Sequence, residues 1–246
     1  MSTDTKKGPD ISDFFSVCFW KIIFLVNPAG SIMRDDKIRE KKKAEGMNRL
    51  SKGIFAPVYP VIAEKIVAEC GITTGVCIDL GCGPGSLGIA LAKKTDLDIL
   101  LIDNSEYAKQ FAAENIRSEN ISRRCQFISG DAENLPFRDS SIDLIISRGS
   151  VFFWQDKIRS FQEIYRVIAP GCMTFIGGGF GNAELCNRIT SEMALENPEW
   201  GAGSKSGKNM TVERRAEIFC AIEEAEIPYR ILSDESGFWV ILKKPL

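Results

Sequence analysis

Residues 76–103 read VCIDLGCGPGSLGIALAKKTDLDILLID, and this stretch decides the fold. It holds a short apolar run at 76–80, a glycine-rich turn, a helical pattern at 86–94 and a second apolar run at 99–102. A strand, a helix and a strand in this order predict a βαβ unit with parallel strands. Ligands of such sheets bind beyond the carboxyl ends of the strands, so the residues that follow each run are candidates for a site.

The same alternation of strand and helix patterns continues along the chain. Helices are predicted at 57–70, 86–94, 106–118, 155–168 and 211–225, and strands at 76–80, 99–102, 125–129, 142–147, 173–177, 229–233 and 238–242. Pro170 and Gly171 are read as the stop signal of the fourth helix, and Thr211 as the N-cap of the last. The pattern predicts an α/β fold with a doubly wound, mostly parallel sheet, whose last two strands are close enough for an antiparallel hairpin.

The composition excludes several kinds of chemistry. The 246 residues contain no histidine, which excludes Ser-His-Asp and Cys-His nucleophile systems, histidine-ligated metals and histidine acid–base catalysis. Eight cysteines form no CxxC pair, so no metal site is expected, and we interpret them as free thiols of a reducing cytoplasm. The 31 basic and 33 acidic residues give a net charge of −2, which shows no global excess for binding nucleic acid.

The glycine loop after the first strand fits two classes of cofactor. Residues 83–88 satisfy GxGxxG, the dinucleotide fingerprint, which is a weak signal when it stands alone. A pyrophosphate is disfavoured next to the carboxylate of Asp79, two residues before Gly81, and the loop contains no lysine or arginine. S-adenosylmethionine (SAM) instead carries a sulfonium and an ammonium, and an acidic loop suits these cations.

Acidic residues also end the second and third strands. Asp103 stands 22 residues after Gly81, where a carboxylate can accept hydrogen bonds from both ribose hydroxyls of either cofactor class. Asp131 can accept the adenine amino hydrogen while the backbone N–H of Ala132 faces a ring nitrogen. Structural alternatives stay open, since Asp103 also suits a helix N-cap and Asp131 a turn.

Five motifs in this order resemble the class I SAM-dependent methyltransferases, especially the small-molecule branch related to quinone-biosynthesis methyltransferases. They are VCIDLGCGPG (76–85), LLIDNS (100–105), GDAENLPF (130–137), SIDLIISR (141–148) and EIYRVIAPG (163–171). The resemblance extends over about 57–246 and implies a Rossmann-like sheet of seven strands with the last one antiparallel. Cys172 departs from the family pattern, in which a second glycine is commoner.

The resemblance also implies roles for single residues. It implies that the methionine part of SAM lies against Asp79, Gly81, Cys82, Gly83 and Gly85, the ribose against Asp103 and Asn104, the adenine against Asp131 and Ala132, and the methyl side against Ser147 and Arg148. Cys82 is expected to be a small packing residue rather than a reactive thiol. The product of the cofactor is then S-adenosylhomocysteine (SAH).

The catalytic residues are not identified by the sequence, and Arg148, Trp154 and Tyr59 are the candidates on the acceptor side. Arg148 suits either a carboxylate or phosphate of the acceptor or a structural salt bridge. Trp154 suits either the wall of an apolar pocket or the core. An alcohol or phenol acceptor usually needs a base, which here has to be Asp, Glu, Tyr or Lys. A mobile loop that orders on substrate binding is expected at 201–207.

Residues 1–56 are predicted to form a helical extension or lid, and residues 57–246 the SAM-binding domain, with an insertion at 182–210. The apolar run FFSVCFWKIIFLV at 14–26 is too short for a membrane span. We predict a docked helix there, which also suits a lid or a homodimer contact. The charged run RDDKIREKKK at 34–43 is predicted to be a solvated helix face or linker.

The favoured function is a cytoplasmic SAM-dependent methyltransferase that methylates a small molecule by in-line displacement, with no nucleic acid as partner. Three alternatives stay open: a SAM-binding partner or regulatory subunit without turnover, a methyltransferase with a protein or RNA acceptor, and a nicotinamide-dependent oxidoreductase. Binding of NADH but not SAM would favour the last of these.

Overall fold

The computed structural model describes residues 30–196 and 211–246, with side chains from Asp36 onward. The predicted apolar helix at 14–26 and the predicted mobile loop at 201–207 lie outside the described residues. Among residues 30–196 and 211–246, none of the helices has the length and hydrophobicity of a membrane span.

The chain divides between Lys42 and Lys43 into two compact units. In the described part of the smaller unit the chain is helical, and residues 36–42 are exposed, as predicted for a solvated helix face. The larger unit includes residues 43–56, which sequence analysis places in the extension. The division into a lid and a catalytic domain between residues 56 and 57 stays a prediction.

The described residues form seven α-helices, one short 3₁₀ helix (Val151–Phe153) and seven strands. The helices are α1 Gly30–Lys52, α2 Val58–Cys70, α3 Ser86–Ala92, α4 Glu106–Ser118, α5 Lys157–Val167, α6 Ala183–Glu196 and α7 Val212–Glu224. The strands are β1 Thr74–Leu80, β2 Asp96–Asp103, β3 Cys125–Ser129, β4 Ile142–Arg148, β5 Ile168–Gly179, β6 Tyr229–Asp234 and β7 Gly237–Leu242. Thr211 caps α7 as predicted, accepting a hydrogen bond from the N–H of Arg214.

All seven strands join one sheet in the order β3-β2-β1-β4-β5-β7-β6. Strands β1 to β5 pair in parallel, and β7 runs antiparallel to both β5 and β6. The predicted doubly wound, mostly parallel sheet with a terminal hairpin is therefore confirmed. Because β1 and β2 lie side by side with Leu80 opposite Ile102, the loops that follow them meet at one edge of the sheet.

Hydrophobic side chains pack on both faces of the sheet. One cluster lies under α2, α3, α4 and α6 and includes Ile62 and Leu91, and the other lies under α5 and α7 and includes Phe161. Successive residues of β1 point to opposite faces of the sheet and pack in different clusters, Cys77 in the first and Ile78 in the second. The core therefore holds β1 rigidly from both sides and fixes the position of the loop at its end.

Strand β5 corrects one expectation. The fourth predicted helix was to stop at Pro170 and Gly171, but α5 ends at Val167 and β5 begins at once with Ile168. Pro170 and Gly171 lie inside β5 where the pairing with β4 shifts register, and Gly171 has φ +80° and donates its N–H to the carbonyl of Lys244. The Pro-Gly pair thus marks an irregularity in a strand rather than the end of a helix.

The start of the predicted insertion at 182–210 is a helix that sequence analysis did not assign. Helix α6 buries Leu185, Ile189 and Met193 at helical spacing in the core cluster that also contains α2. This part of the insertion is therefore built into the domain.

Candidate functional site

The glycine loop that joins β1 to α3 depends on backbone conformations that only glycine adopts easily. Gly81, Gly83 and Gly85 have φ values of +68°, +53° and +81°. A Cβ atom on Gly81 would lie 2.2 Å from the Cβ of Ser150, which approaches from beyond β4. The loop therefore runs close to the end of β4 and leaves no space for a side chain at Gly81.

Asp79 occupies the end of β1 and is buried beneath this loop. Its carboxylate accepts a hydrogen bond of 2.8 Å from the N–H of Gly88 in α3. Burial raises the pKa of Asp79 to about 7, with a smaller contribution from the nearby Asp103, while the bond from Gly88 opposes the rise. A cation that binds here would favour the charged form of a carboxyl group that is otherwise half protonated near neutrality.

Asp103 ties two loops together at the end of β2. One carboxylate oxygen accepts from the N–H of Gly83 at 2.9 Å, and the other accepts from the N–H of Ser105, the N-cap of α4, at 2.9 Å. Each oxygen still has a lone pair that can accept from a ligand hydroxyl. The N-cap role left open for Asp103 is wrong, because Ser105 caps α4. Asp103 instead connects the glycine loop to the start of α4, and its placement also suits ribose.

The residues predicted for the base lie next to those predicted for the ribose. The side-chain amide of Asn104 approaches the carboxylate of Asp131 at 3.4 Å, and that carboxylate also accepts from the N–H of Glu133 at 3.0 Å. Ala132 is buried, whereas Asp131 is exposed. The structure therefore brings the ends of β2 and β3 together as one surface of the site.

Ser147 and Trp154 are both linked to a residue that sequence analysis missed, Ser150. The hydroxyls of Ser147 and Ser150 are 2.6 Å apart, Ser150 donates to the carbonyl of Leu80 at 2.9 Å, and the indole N–H of Trp154 donates to Ser150 at 3.2 Å. The indole ring also packs edge-on against the buried Phe161. These polar side chains join the ends of β1 and β4, and no local sequence pattern identifies Ser150 as the link.

Arg148, the last residue of β4, lies among aromatic rings. Its Nε donates to the carbonyl of Gly179 at 2.9 Å, and its guanidinium carbon is 5.4 to 5.8 Å from the ring centres of Phe55, Tyr59 and Phe180. Burial lowers the pKa of Arg148 and raises that of Tyr59, and the positive charge of Arg148 partly offsets the rise at Tyr59. The raised pKa keeps the phenol of Tyr59 protonated at neutral pH, so Tyr59 is a hydrogen-bond donor rather than a base. Arginine side chains keep their charge in proteins.

A second missed contact connects α1 to the glycine loop. The side-chain amide of Asn115 in α4 donates to the carbonyl of Pro84 at 2.8 Å and to the side-chain oxygen of Asn48 at 3.1 Å. The side chain of Met47 comes within 4.0 Å of the position that a Cβ on Gly83 would take. Residues 43–52 of α1 therefore support the loop from outside, although nothing in their sequence indicates it.

Cys82 lies inside the loop. Its N–H donates to the carbonyl of Ile102 at 3.0 Å, and its thiol is partly buried. Burial raises the pKa of this thiol well above its usual value, and Asp79 and Asp103 raise it further. The thiol is therefore protonated and unreactive, in keeping with a packing role.

Two surface clefts lie away from this loop, at the opposite edge of the sheet. The first, of about 370 Å³, is lined by Tyr165, Arg166 and Lys244, and the second, of about 290 Å³, by Asp98 and Arg124 among others. No group of three potential metal ligands occurs among the described residues. The candidate site is therefore defined by its polar groups and strand ends rather than by the size of a cavity.

A family model for a methyltransferase domain matches residues 77–171, which contain the glycine loop and the ends of β1 to β4. A solved structure from Methanococcus maripaludis, assigned as an S-adenosyl-L-methionine-dependent methyltransferase, is 45% identical. It aligns with 84% of this chain and 94% of its own, with a TM-score of 0.80.

Curated relatives match over shorter lengths. A sterol 24-C-methyltransferase of Aspergillus fumigatus is 29% identical over 58% of this chain and 37% of its own length. A demethylmenaquinone methyltransferase of Lactobacillus johnsonii is 34% identical over 38% of this chain and 39% of its own. The chain thus spans about two fifths of these curated relatives. Because the identity to the solved structure extends over nearly all of that protein, and because the sheet has the order and the single antiparallel strand that the motifs implied, this chain belongs to the class I SAM-dependent methyltransferases.

Proposed function

We propose that this chain binds SAM at the carboxyl edge of its sheet and transfers the methyl group to a small-molecule acceptor. The observation that supports this most directly is the pair of carboxylates, Asp79 and Asp103, on either side of a left-handed glycine loop that contains no basic residue. Such a loop favours a cationic cofactor over a pyrophosphate.

The cofactor roles are proposed from this arrangement. Asp79 and the loop glycines face the cationic methionine part, Asp103 and Asn104 hold the ribose, and Asp131 and Ala132 contact the adenine. Ser147 and Arg148 lie on the methyl side, where Arg148 faces the acceptor. The hydrogen bonds that Asp103 accepts from the loop fix its carboxylate before any ligand arrives, so little ordering is needed on binding.

The chemistry follows from the bound cofactor and the residues around it. Bound SAM supplies a methyl carbon that the sulfonium activates for in-line displacement. The protein aligns the acceptor and excludes water, and the rings of Tyr59 and Phe180 beside Arg148 are suited to both tasks. No imidazole is present in the sequence, and Tyr59 is protonated, which favours an acceptor atom that needs no strong base.

The curated relatives support a small molecule as acceptor, since the names of two of them specify a sterol and a demethylmenaquinone. Cytoplasmic location and dimerisation through residues 14–26 stay predictions.

Titration calorimetry with SAM, SAH and NADH tests the cofactor. We expect SAM and SAH to bind to the wild-type protein and NADH not to bind. Asp103→Ala should weaken the binding of SAM and of SAH by about a hundredfold, since it removes the hydrogen-bond acceptor of the ribose and loosens the loop. Asp98→Ala is the matched control, because Asp98 is exposed on the same strand and lies at the other edge. Binding that survives in Asp103→Ala contradicts the assignment.

Transfer of a labelled methyl group tests the acceptor class. The protein is incubated with SAM and an extract of its source cells that has been separated into small molecules, protein and RNA. Label in the small-molecule fraction supports the proposal. Label in protein or RNA contradicts the small-molecule acceptor, and SAM binding without any labelled product favours a regulatory subunit.

A further inference from the structure

The guanidinium of Arg148 and the three rings around it form a cluster, named here the Arg148 cluster: Phe55, Tyr59, Arg148 and Phe180. The rings come from the α1–α2 connection, from α2 and from the residue after β5, so three separate segments converge on one cation. Such convergence holds the guanidinium in place from several directions.

The hydrogen bonds of Arg148 leave its outer end unused. Nε donates to Gly179, but the N–H groups on Nη1 and Nη2 have no hydrogen-bond partner, and no carboxylate pairs with Arg148, within residues 36–196 and 211–246. Arg124, in contrast, donates through Nη1 and Nη2 to the carbonyls of Thr95, Leu97 and Ala92. The structural salt bridge considered for Arg148 is therefore not found in the described part of the chain.

A partly buried cation without a counter-ion is unfavourable for the folded protein. The rings provide cation–π attraction, but they cannot accept the in-plane hydrogen bonds of the Nη groups. Arg148 is only partly buried, so a ligand can reach it. The arrangement is that of a binding site whose anion is not supplied by residues 36–196 and 211–246.

The Arg148 cluster adjoins the proposed cofactor site. Arg148 directly follows Ser147 at the end of β4, beside the end of β1. Tyr59 lies close enough to Ser86 and Asp79 for both to influence its phenol, so the cluster borders the first turn of α3. An anion held by Arg148 is thus close to the glycine loop.

Building on the proposed methyl-transfer function, we propose that the acceptor is an acid whose carboxylate binds the free Nη edge of Arg148 while its apolar body lies against Phe180, the partly exposed ring of the cluster. A carboxylate is planar and accepts two parallel N–H bonds from one guanidinium, which matches the unused edge. The exposed part of the Phe180 ring favours an aromatic or extended apolar body next to that carboxylate.

The test uses the full-length protein and 4-fluorobenzoate, a small aromatic carboxylate, observed by fluorine NMR with and without SAH. We expect a saturable shift that unlabelled benzoate reverses, no shift with the neutral 4-fluorobenzamide, and at least about tenfold weaker binding in Arg148→Gln. Arg148→Lys keeps the positive charge but not the paired N–H donors, and we expect it to bind the probe weakly too. It replaces Arg148→Gln in the test if that variant does not fold. Arg117→Gln, which changes an exposed arginine of α4, is the matched control.

The carboxylate that binds Arg148 could belong to the acceptor or to the cofactor, because SAM and SAH carry a carboxylate of their own. The SAH affinity of the same variants distinguishes the two. The proposal predicts that SAH binds the Arg148 variants within about threefold of wild type. Loss of SAH binding together with no response to 4-fluorobenzoate overturns it and assigns Arg148 to the cofactor. Absence of a fluorine shift in wild type, with SAH bound, overturns the proposal and leaves the cofactor assignment intact. Failure of SAH to bind wild type contradicts the proposed function instead, and the probe then reports on the cluster alone.

Discussion

Charged side chains at the two edges of the sheet differ in whether they form ion pairs. Beside the amino ends of β4 and β5, Arg166 pairs with Glu163 and with Asp139, each at 2.7 Å. At the carboxyl edge, Asp79 and Arg148 form no ion pair within the described part of the chain. The charges around Arg166 therefore neutralise one another, whereas Asp79 and Arg148 contact a backbone N–H group and aromatic rings instead.

The difference separates two uses of charge. Removing one member of a paired group at the amino edge destabilises the fold, because the other charge is then left without its partner, and a ligand would have to compete with bonds already made. Unpaired groups at the carboxyl edge are less favourable for stability, but they become satisfied when a ligand of opposite charge binds. Substitutions at the carboxyl edge should therefore change ligand affinity, and substitutions at the amino edge should change stability.

The largest effect is expected for Gly81→Ala. The new Cβ would clash with Ser150, and alanine is unfavourable at φ +68°. We expect the free energy of unfolding to fall by about 3 kcal/mol and SAM binding to become undetectable by calorimetry. Gly46→Ala is the control, since Gly46 lies in α1 with open space around it, and this variant should be as stable as wild type or more so.

Glu163→Gln should produce the opposite pattern, with stability reduced and affinity kept. The buried carboxylate of Glu163 accepts from the N–H of Leu135 and bonds Arg166, and this bonding lowers the pKa of Glu163. We expect the free energy of unfolding in urea at neutral pH to fall by about 2 kcal/mol, with SAM affinity unchanged.

The pH dependence and a surface control sharpen this expectation. Since the folded pKa of Glu163 is below its unfolded value, its stabilisation is present above that unfolded value and is lost as the pH falls through the folded pKa. Glu64→Gln removes an exposed pair with Lys94 and should cost less than about 0.5 kcal/mol. A marked loss of SAM affinity in Glu163→Gln would break the distinction between the edges.

The sequence was sufficient for the parts of the site that local pattern determines. The run of apolar residues placed β1 and β2, and the acids that follow them, Asp79 and Asp103, came to the expected edge. The glycines of the loop have the positive φ that their residue type suggested. These features depend on neighbours within a few residues.

The missed features all depend on contacts between distant segments. Ser150 links the ends of two strands, and Asn48 accepts a hydrogen bond from Asn115, which is 67 residues away in the sequence. Pro170 was read as a helix stop because a local pattern cannot show the neighbouring strand that incorporates it. Tyr59 was a candidate on the acceptor side together with Arg148, but the contact of Phe55 and Phe180 with Arg148 was not predicted, since they come from opposite sides of it along the chain.

Asp79 should make cofactor affinity depend on pH. Its pKa of about 7 means that most molecules are protonated below neutrality, and a cationic cofactor favours the charged form. We expect SAM to bind about eightfold more weakly at about pH 6 than at about pH 7.5, measured by calorimetry. Binding should release a fraction of a proton, which titration in buffers of different ionisation enthalpy detects.

Asp79→Asn is the control for this dependence. It cannot titrate, so its weaker binding should be independent of pH over the same range. Because the folded pKa of Asp79 is raised, the stability that it contributes to the free protein is present below its unfolded pKa and is lost as the pH rises to about 7. A wild-type affinity that does not change with pH would show that the carboxylate is already charged without ligand.

The smallest effect concerns Asn48, which tests whether the carboxyl edge depends on α1. Asn48 accepts from Asn115, the residue that also bonds the loop at Pro84, so Asn48→Ala leaves that amide with one partner fewer. We expect about fivefold weaker SAM binding, about 1 kcal/mol, with little change in melting temperature. Asn48→Asp retains the accepting oxygen and should restore affinity, and Arg49→Ala, one position along on the exposed side, should have no effect. If Asn48→Ala instead lowers the melting temperature and leaves the SAM affinity unchanged, the contact between Asn48 and Asn115 stabilises the fold, as the ion pairs of the amino edge do. The glycine loop would then keep its conformation without support from α1.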